Sequence, residues 1–288
     1  MLIEVYVMSN IAEPDDINLR KLLDKSIELA NLSDDMCQDV EFKFIDDDQT
    51  LMALAFVSKE TDLLRSLCTL IENKHHRDGQ LIARSMLEGL GHLLLASKDP
   101  NYAHKWRAYV FVADFKLILE KEGKHEVVDP LYKLHIIKQL DTEGKQFYST
   151  KARKALQDDQ ALLPDPYKNE NKWAGMDIAA IYKRLERQEI YDSAYRDMSG
   201  WVHWGISGLT KAIDFKDTNI QYKSQLSDVT ARNTLIVGFE AMWEAARVLN
   251  SFLIKTKKAH LVPRFDKNLS KLLDDYRNAG FTLSFIKI

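Results

Sequence analysis

The sequence predicts an all-α fold, a single helical-bundle domain, on three observations. Apolar residues recur at helical spacing through most of the 288 residues, in segments too long for ordinary strands. Only 11 Gly and 6 Pro are present, too few for the frequent turns of an all-β chain. Strand-like composition is confined to the two ends, LIEVYVM (2–8) and FTLSFIKI (281–288), which are candidates for one small strand pair formed by the chain termini.

Taken in order, Asp15 and Asp16 put acids at the start of a helix reaching about Asn31, with Leu19, Leu22, Leu23, Ile27 and Ala30 at helical spacing. The stretch SDDMCQDVEFKFIDDD (33–48) reads as a solvated acidic surface. It lacks the glycine and glutamate spacing of an EF-hand loop. Residues 1–50 are therefore an N-terminal helical and acidic segment and 51–288 the bundle core, one domain overall. A long helix is expected from Leu51 to about Lys74, broken at HHRDG, with a second from Gln80 to about Ser97. After the SKDPN turn a helix covers Ala103 to Lys121, and one or two more fill 128–158. The stretch LLPDPYKNENKW (162–173) is the best loop. Helices resume at Met176–Gln188, Tyr191–Ile213, Ser227–Lys255 and Asp266–Ala279.

The formal net charge of -3 gives no global basic field, so any nucleic-acid contact has to come from a local patch. KARK (151–154) and KTKK (255–258) are the local clusters; such runs ordinarily solvate helix ends but can also touch RNA. Cys37 and Cys68 stand alone, without the close pairing of a zinc or redox motif. With no basic-then-apolar leader and no apolar run of roughly 18 residues, a cytoplasmic protein away from membranes is expected. No P-loop, G-x-S-x-G, G-x-G-x-x-G or H-E-x-x-H is present, and neither a cofactor nor a metal is expected. The two E-x-x-H spacings, Glu72–His75 and Glu122–His125, fall in polar stretches at predicted helix ends rather than on inward faces.

Three constellations can carry chemistry. Arg84, Glu88 and His92 recur every four residues, within about 80° of one another on a helix that is otherwise apolar nearly all round. A charged stripe there needs partners; it is either an intrahelical or buried ion pair, or one wall of a polar pocket. Arg107, in KWRAY (105–109), is placed to approach that stripe from the next helix. In YDSAYRDMSGWVHWG (191–205), Arg196 and His203 lie seven apart and stack within about 20° on a helix, with Tyr195 and Ser199 near the same side. An Arg–His pair suits metal-independent RNA cleavage: histidine moves a proton near neutral pH and arginine stabilises charge on the phosphate. The spacing alone is what chance supplies roughly once in such a chain. A histidine packed structurally between Trp201 and Trp204 is the alternative.

The order of these motifs, R84-SMLE-88, K105-WRAY-109, W173-AG-175 and Y191-DSAYRDMSGWVH-203, resembles the bacterial family called domain of unknown function 5677. The resemblance covers about residues 50 to 255 and implies a helical fold with a Tyr195–Ser199–His203 row. More distantly, Arg196-Asp197 followed by His203 is similar to the HEPN superfamily of helical bundles, many of them dimeric RNases of defence and toxin–antitoxin systems. In the closer family Tyr195 and Ser199 are more central than Arg196. What the resemblance implies is a metal-independent RNase, homodimeric, acting on RNA and paired with an antitoxin or defence-system partner. Arg196 and His203 would be catalytic, and Tyr195, Ser199, Arg84, Glu88 and Arg107 would shape the pocket or orient the histidine. The rival is a non-catalytic helical binding or scaffold protein with a buried polar pocket.

Overall fold

The computed structural model describes residues 16–38, 40–41, 47–168, 173–202, 213–216, 219–222 and 228–282. Four long helices make the core: α1 (Asp16–Cys37), α2 (Asp48–Glu72), α3 (His76–Lys98) and α10 (Asp228–Phe252), with α2, α3 and α10 mutually packed and α1 against α2 and α10. Their apolar stripes interlock through Leu22, Leu29, Leu64, Leu67, Met86, Leu87 and Phe239, all fully buried. Each such side chain contributes roughly 1.5–3 kcal/mol relative to exposure. Every residue of α10 from Val237 to Ala246 is buried, which makes it the central helix. Gly238 allows this, because a Cβ there would overlap the Leu67 side chain of α2. The helix α11 (Val262–Asn278) closes one side: Trp243 Nε1 donates to Leu269 O at 3.0 Å, and Phe239 stacks on Tyr276 at 4.3 Å.

Asp99 accepts from Asn101 N at 3.1 Å and Pro100 starts α4 (Pro100–Gly123), so only one residue separates α3 from α4. The same Asp-Pro device, Asp129 accepting from Leu131 N at 2.9 Å, begins α5 (Pro130–Thr142). These helices, with α6 (Thr150–Gln157), enclose a smaller apolar cluster of Val112, Ile118, Ile136, Leu140, Tyr148, Ala152 and Tyr167. Beyond the 162–173 loop, α7 (Ile178–Arg184) lies on α3, where Tyr182 donates to Leu87 O at 2.7 Å. An ion pair from the half-buried Arg187 to the buried Glu244, at 2.6 Å, ties the following turn to α10.

The fold is all-α with one small hairpin, and in that hairpin it departs from the sequence reading. Of the helix expected over Tyr191–Ile213, the described part up to Val202 is one π-helical turn over Tyr191–Tyr195 and α9 (Arg196–Val202), preceded by α8 (Gln188–Ile190). Ile213 instead begins β1 (Ile213–Lys216), antiparallel to β2 (Asn219–Tyr222), with Lys216 opposite Asn219. Period-two alternation, Ile213 and Phe215 against Ile220 and Tyr222, outweighs helix propensity there. The postulated terminal strand pair lies almost wholly outside the described residues; Phe281 is described, and it is buried against Tyr276 rather than in a strand. The sequence break at HHRDG is shorter than expected, since α3 begins at His76. No helix among the described residues is long and apolar enough to cross a membrane.

The acidic 33–48 stretch and the KTKK cluster are partners. Lys255 meets Asp47 at 3.0 Å, Lys257 meets Glu41, and Lys258 Nζ donates to Asp35 O at 2.6 Å. Those lysines are already engaged with the chain's own acids, which counts against KTKK as an RNA contact.

Candidate functional site

Three of the sequence-selected residues converge on Arg84. Its Nε donates to Ser199 Oγ at 2.9 Å and its Nη2 to the Tyr195 hydroxyl at 2.6 Å, with the guanidinium 4.7 Å from the Tyr195 ring centre. Ser199 Oγ donates back to Tyr195 O at 2.8 Å. Glu88 closes the cluster: the Tyr195 hydroxyl donates to its Oε2 at 3.4 Å, and Arg84 Nη1 is 3.9 Å from the same oxygen. The π turn sets this up by inserting an extra residue just before Tyr195, which also stacks Tyr191 on Tyr195 at 5.3 Å. Burial first, and then the charge of Glu88, push the Tyr195 phenol up to about 12, so it remains a hydrogen-bond donor at neutral pH.

Arg196 does not join this cluster. It lies on the outer face of α9, 69% exposed, with Asp192 one turn back at 3.6 Å. His203 lies outside the described residues. Arg107 is a correction: it turns away from Glu88 to a separate set of partners, Asp48, Glu143 at 3.2 Å and His104 at 3.3 Å. The reason is local: α4 sits against the start of α2, so Asp48 is within reach. Asp48 and Glu143 already balance its charge.

His92, at the far end of the Arg84–Glu88 stripe, is enclosed by rings. Its Nδ1 shares a hydrogen bond with the Tyr102 hydroxyl at 2.8 Å, and Trp173 lies 5.0 Å from its ring. Burial pushes its pKa down to about 4, so the imidazole is neutral at physiological pH. Next to it is the residue that sequence reasoning missed. Glu60 of α2 is 3% exposed, and its Oε2 is sealed from water without a hydrogen-bond partner. Desolvation holds this carboxyl well above the usual carboxylate range, against the opposing charge of Lys59. The available signal is positional: Ala53, Val57, Glu60, Leu64, Leu67 and Ile71 form the inward stripe of α2, and one seam position carries an acid.

Glu60 is packed over Gly89, where a Cβ would overlap its Oε1. Both line a cavity of about 510 Å³ between α2, α3 and α4, together with Phe56, Glu88, His92 and Trp106. Glu88 is the link, facing the Arg84–Tyr195–Ser199 cluster on one side and the cavity on the other. A model of a family of unknown function (DUF5677) matches residues 50–221. The chain belongs to that family. No curated protein and no solved structure matches it.

The DUF5677 match runs from α2 to β2 and so contains Glu60, Arg84, Glu88, His92, Tyr195 and Ser199. It excludes α1 and α10, although α10 is the central core helix. The DUF5677 span therefore carries the polar cluster and the cavity, while flanking helices complete the apolar support behind them. Among the described residues, no three His, Cys, Asp or Glu side chains converge as metal ligands would.

Proposed function

We propose that this DUF5677 chain is a helical binding module whose ligand site is the cavity between α2, α3 and α4. One observation carries the reading: Glu60 is a buried carboxyl with an unpaired oxygen, set into a cavity of about 510 Å³. A buried polar group without a partner costs roughly 1–3 kcal/mol, and a fold keeps such a cost most readily where a ligand offsets it. The volume lies within the range of small-molecule sites, and aromatic walls with a few converging polar groups are their usual lining. Arg84 then acts as the strut that fixes α9 against α3 and holds Glu88 at the cavity edge.

A second reading, a metal-independent and homodimeric RNase using Arg196 and His203, is favoured by one observation. Arg196 is solvent-facing directly after the anchored Tyr195, where a phosphate or a second subunit has access. One experiment separates the two. Purified wild type, His203→Ala and Glu60→Gln are compared for chelator-insensitive RNA cleavage and for small-molecule stabilisation in thermal melts. The binding reading expects no cleavage by any of them and stabilisation that Glu60→Gln loses. Cleavage abolished by His203→Ala in a folded protein establishes the nuclease and overturns the binding reading.

A further inference from the structure

We infer that the cavity is built for a flat organic cation, an amidinium, guanidinium or aromatic ammonium, held between Glu60 and Glu88 against the rings of Phe56 and Trp106. This rests on the binding-module reading and names its ligand class. The charges lining the cavity select the sign. Glu60 and Glu88 supply two carboxyls against one ammonium, that of Lys59, which also lines the cavity from an exposed position on α2. Arg84, the other neighbouring cation, is committed to Tyr195 and Ser199 and does not line the cavity. His92 adds no positive charge, and on the α7 side the buried Tyr182 hydroxyl is used on Leu87 O. An anion entering here would face Glu88 and, among the described lining residues, would have Lys59 as its one cationic partner.

The walls select the shape. Phe56 and Trp106 meet edge to face, with ring centres 5.7 Å apart, and Phe56 also meets His92 at 6.4 Å. Together they give an apolar corner beside the carboxyls, where a delocalised cation gains both ring contact and charge-assisted hydrogen bonds. A hydrated metal ion makes poor use of such walls. Gly89 makes room for the Glu60 carboxyl at the floor, because a side chain there would occupy the same space.

Charge balance adds a signature. In the empty site burial favours the protonated form of Glu60; a bound cation favours the carboxylate, so protons pass to the buffer as the ligand enters. Benzamidine is the probe, with benzyl alcohol and benzoate as its neutral and anionic counterparts. Titration calorimetry on the full chain near neutral pH, in phosphate and in Tris, reads affinity and proton release together. The expected result is benzamidine binding with net proton release, weakened about tenfold or more by Glu88→Gln. Glu60→Gln, an isosteric change whose folding is checked by its melt, weakens binding similarly and abolishes the proton release. Benzyl alcohol or benzoate binding as well as benzamidine overturns the cation class and leaves the binding module standing, whereas benzamidine binding indifferent to Glu60→Gln places the ligand elsewhere and overturns both. If none of the three binds at millimolar concentration, the cavity reading falls with it.

Discussion

Replacing Glu60 by glutamine tests the burial argument without any ligand. The side chain keeps its shape and loses only the ability to ionise. In the folded chain the carboxyl titrates well above the ordinary value of 4.5, because burial penalises its charged form. Between those two values the folded state holds a proton that the unfolded state has released. Unfolding is then progressively favoured as pH rises, by about 1.4 kcal/mol per pH unit while the folded protein still holds that proton. Glu60→Gln removes this term. Its stability relative to wild type should therefore grow as pH rises above 4.5, by up to about 1.4 kcal/mol per pH unit while the folded wild type still holds the proton. His92 acts in the opposite sense: its pKa falls from 6.5 to about 4 on folding, so it destabilises the fold as pH drops through that window. The two terms oppose each other in wild type between roughly pH 4.5 and 6.5, and only the difference between variants isolates Glu60. Urea unfolding of both proteins across this range is the assay. A Glu60→Gln difference that does not change with pH refutes the claim that the site is sealed and unpaired.

Four further outcomes are expected. Arg84→Met should cost about 1.5–3 kcal/mol, the value of charged-donor hydrogen bonds, and should raise hydrogen exchange across Tyr195–Val202, read by mass spectrometry. Arg187→Met strands the buried Glu244 and should cost about 3–5 kcal/mol in denaturant, far more than Arg196→Met, whose exposed pair should be nearly neutral. Gly89→Ala should destabilise by about 1–3 kcal/mol, and adding Glu60→Ala should recover part of that loss; simple additivity in the double mutant contradicts the packing of one over the other. The Cys68 thiol is 2% exposed and pushed up to about 12 by burial, so a thiol reagent should label it only after unfolding, and rapid labelling of the native protein contradicts its placement in the core.

The sequence by itself determined the helices, because apolar spacing is a local signal: α2, α3, α4 and α10 begin and end within a few residues of their expected places. It also singled out Arg84, Glu88, Tyr195 and Ser199, since a charged stripe on an apolar helix and a four-residue polar row stand out in one dimension. The hairpin at Ile213–Tyr222 was legible in principle from its alternation, but four-residue strands give a weak signal beside long helical patterns. Tertiary structure decided the rest. Arg84 meets Tyr195 across 111 residues of chain, and Arg107 goes to Asp48 across 59, pairings set by which helices pack together. Glu60 looks in sequence like one more acid on a long helix. It becomes exceptional only because Gly89 lets it lie against α3 while its Oε2 finds no hydrogen-bond partner among the described residues, and the resulting loss of solvent belongs to the packed bundle rather than to either helix alone.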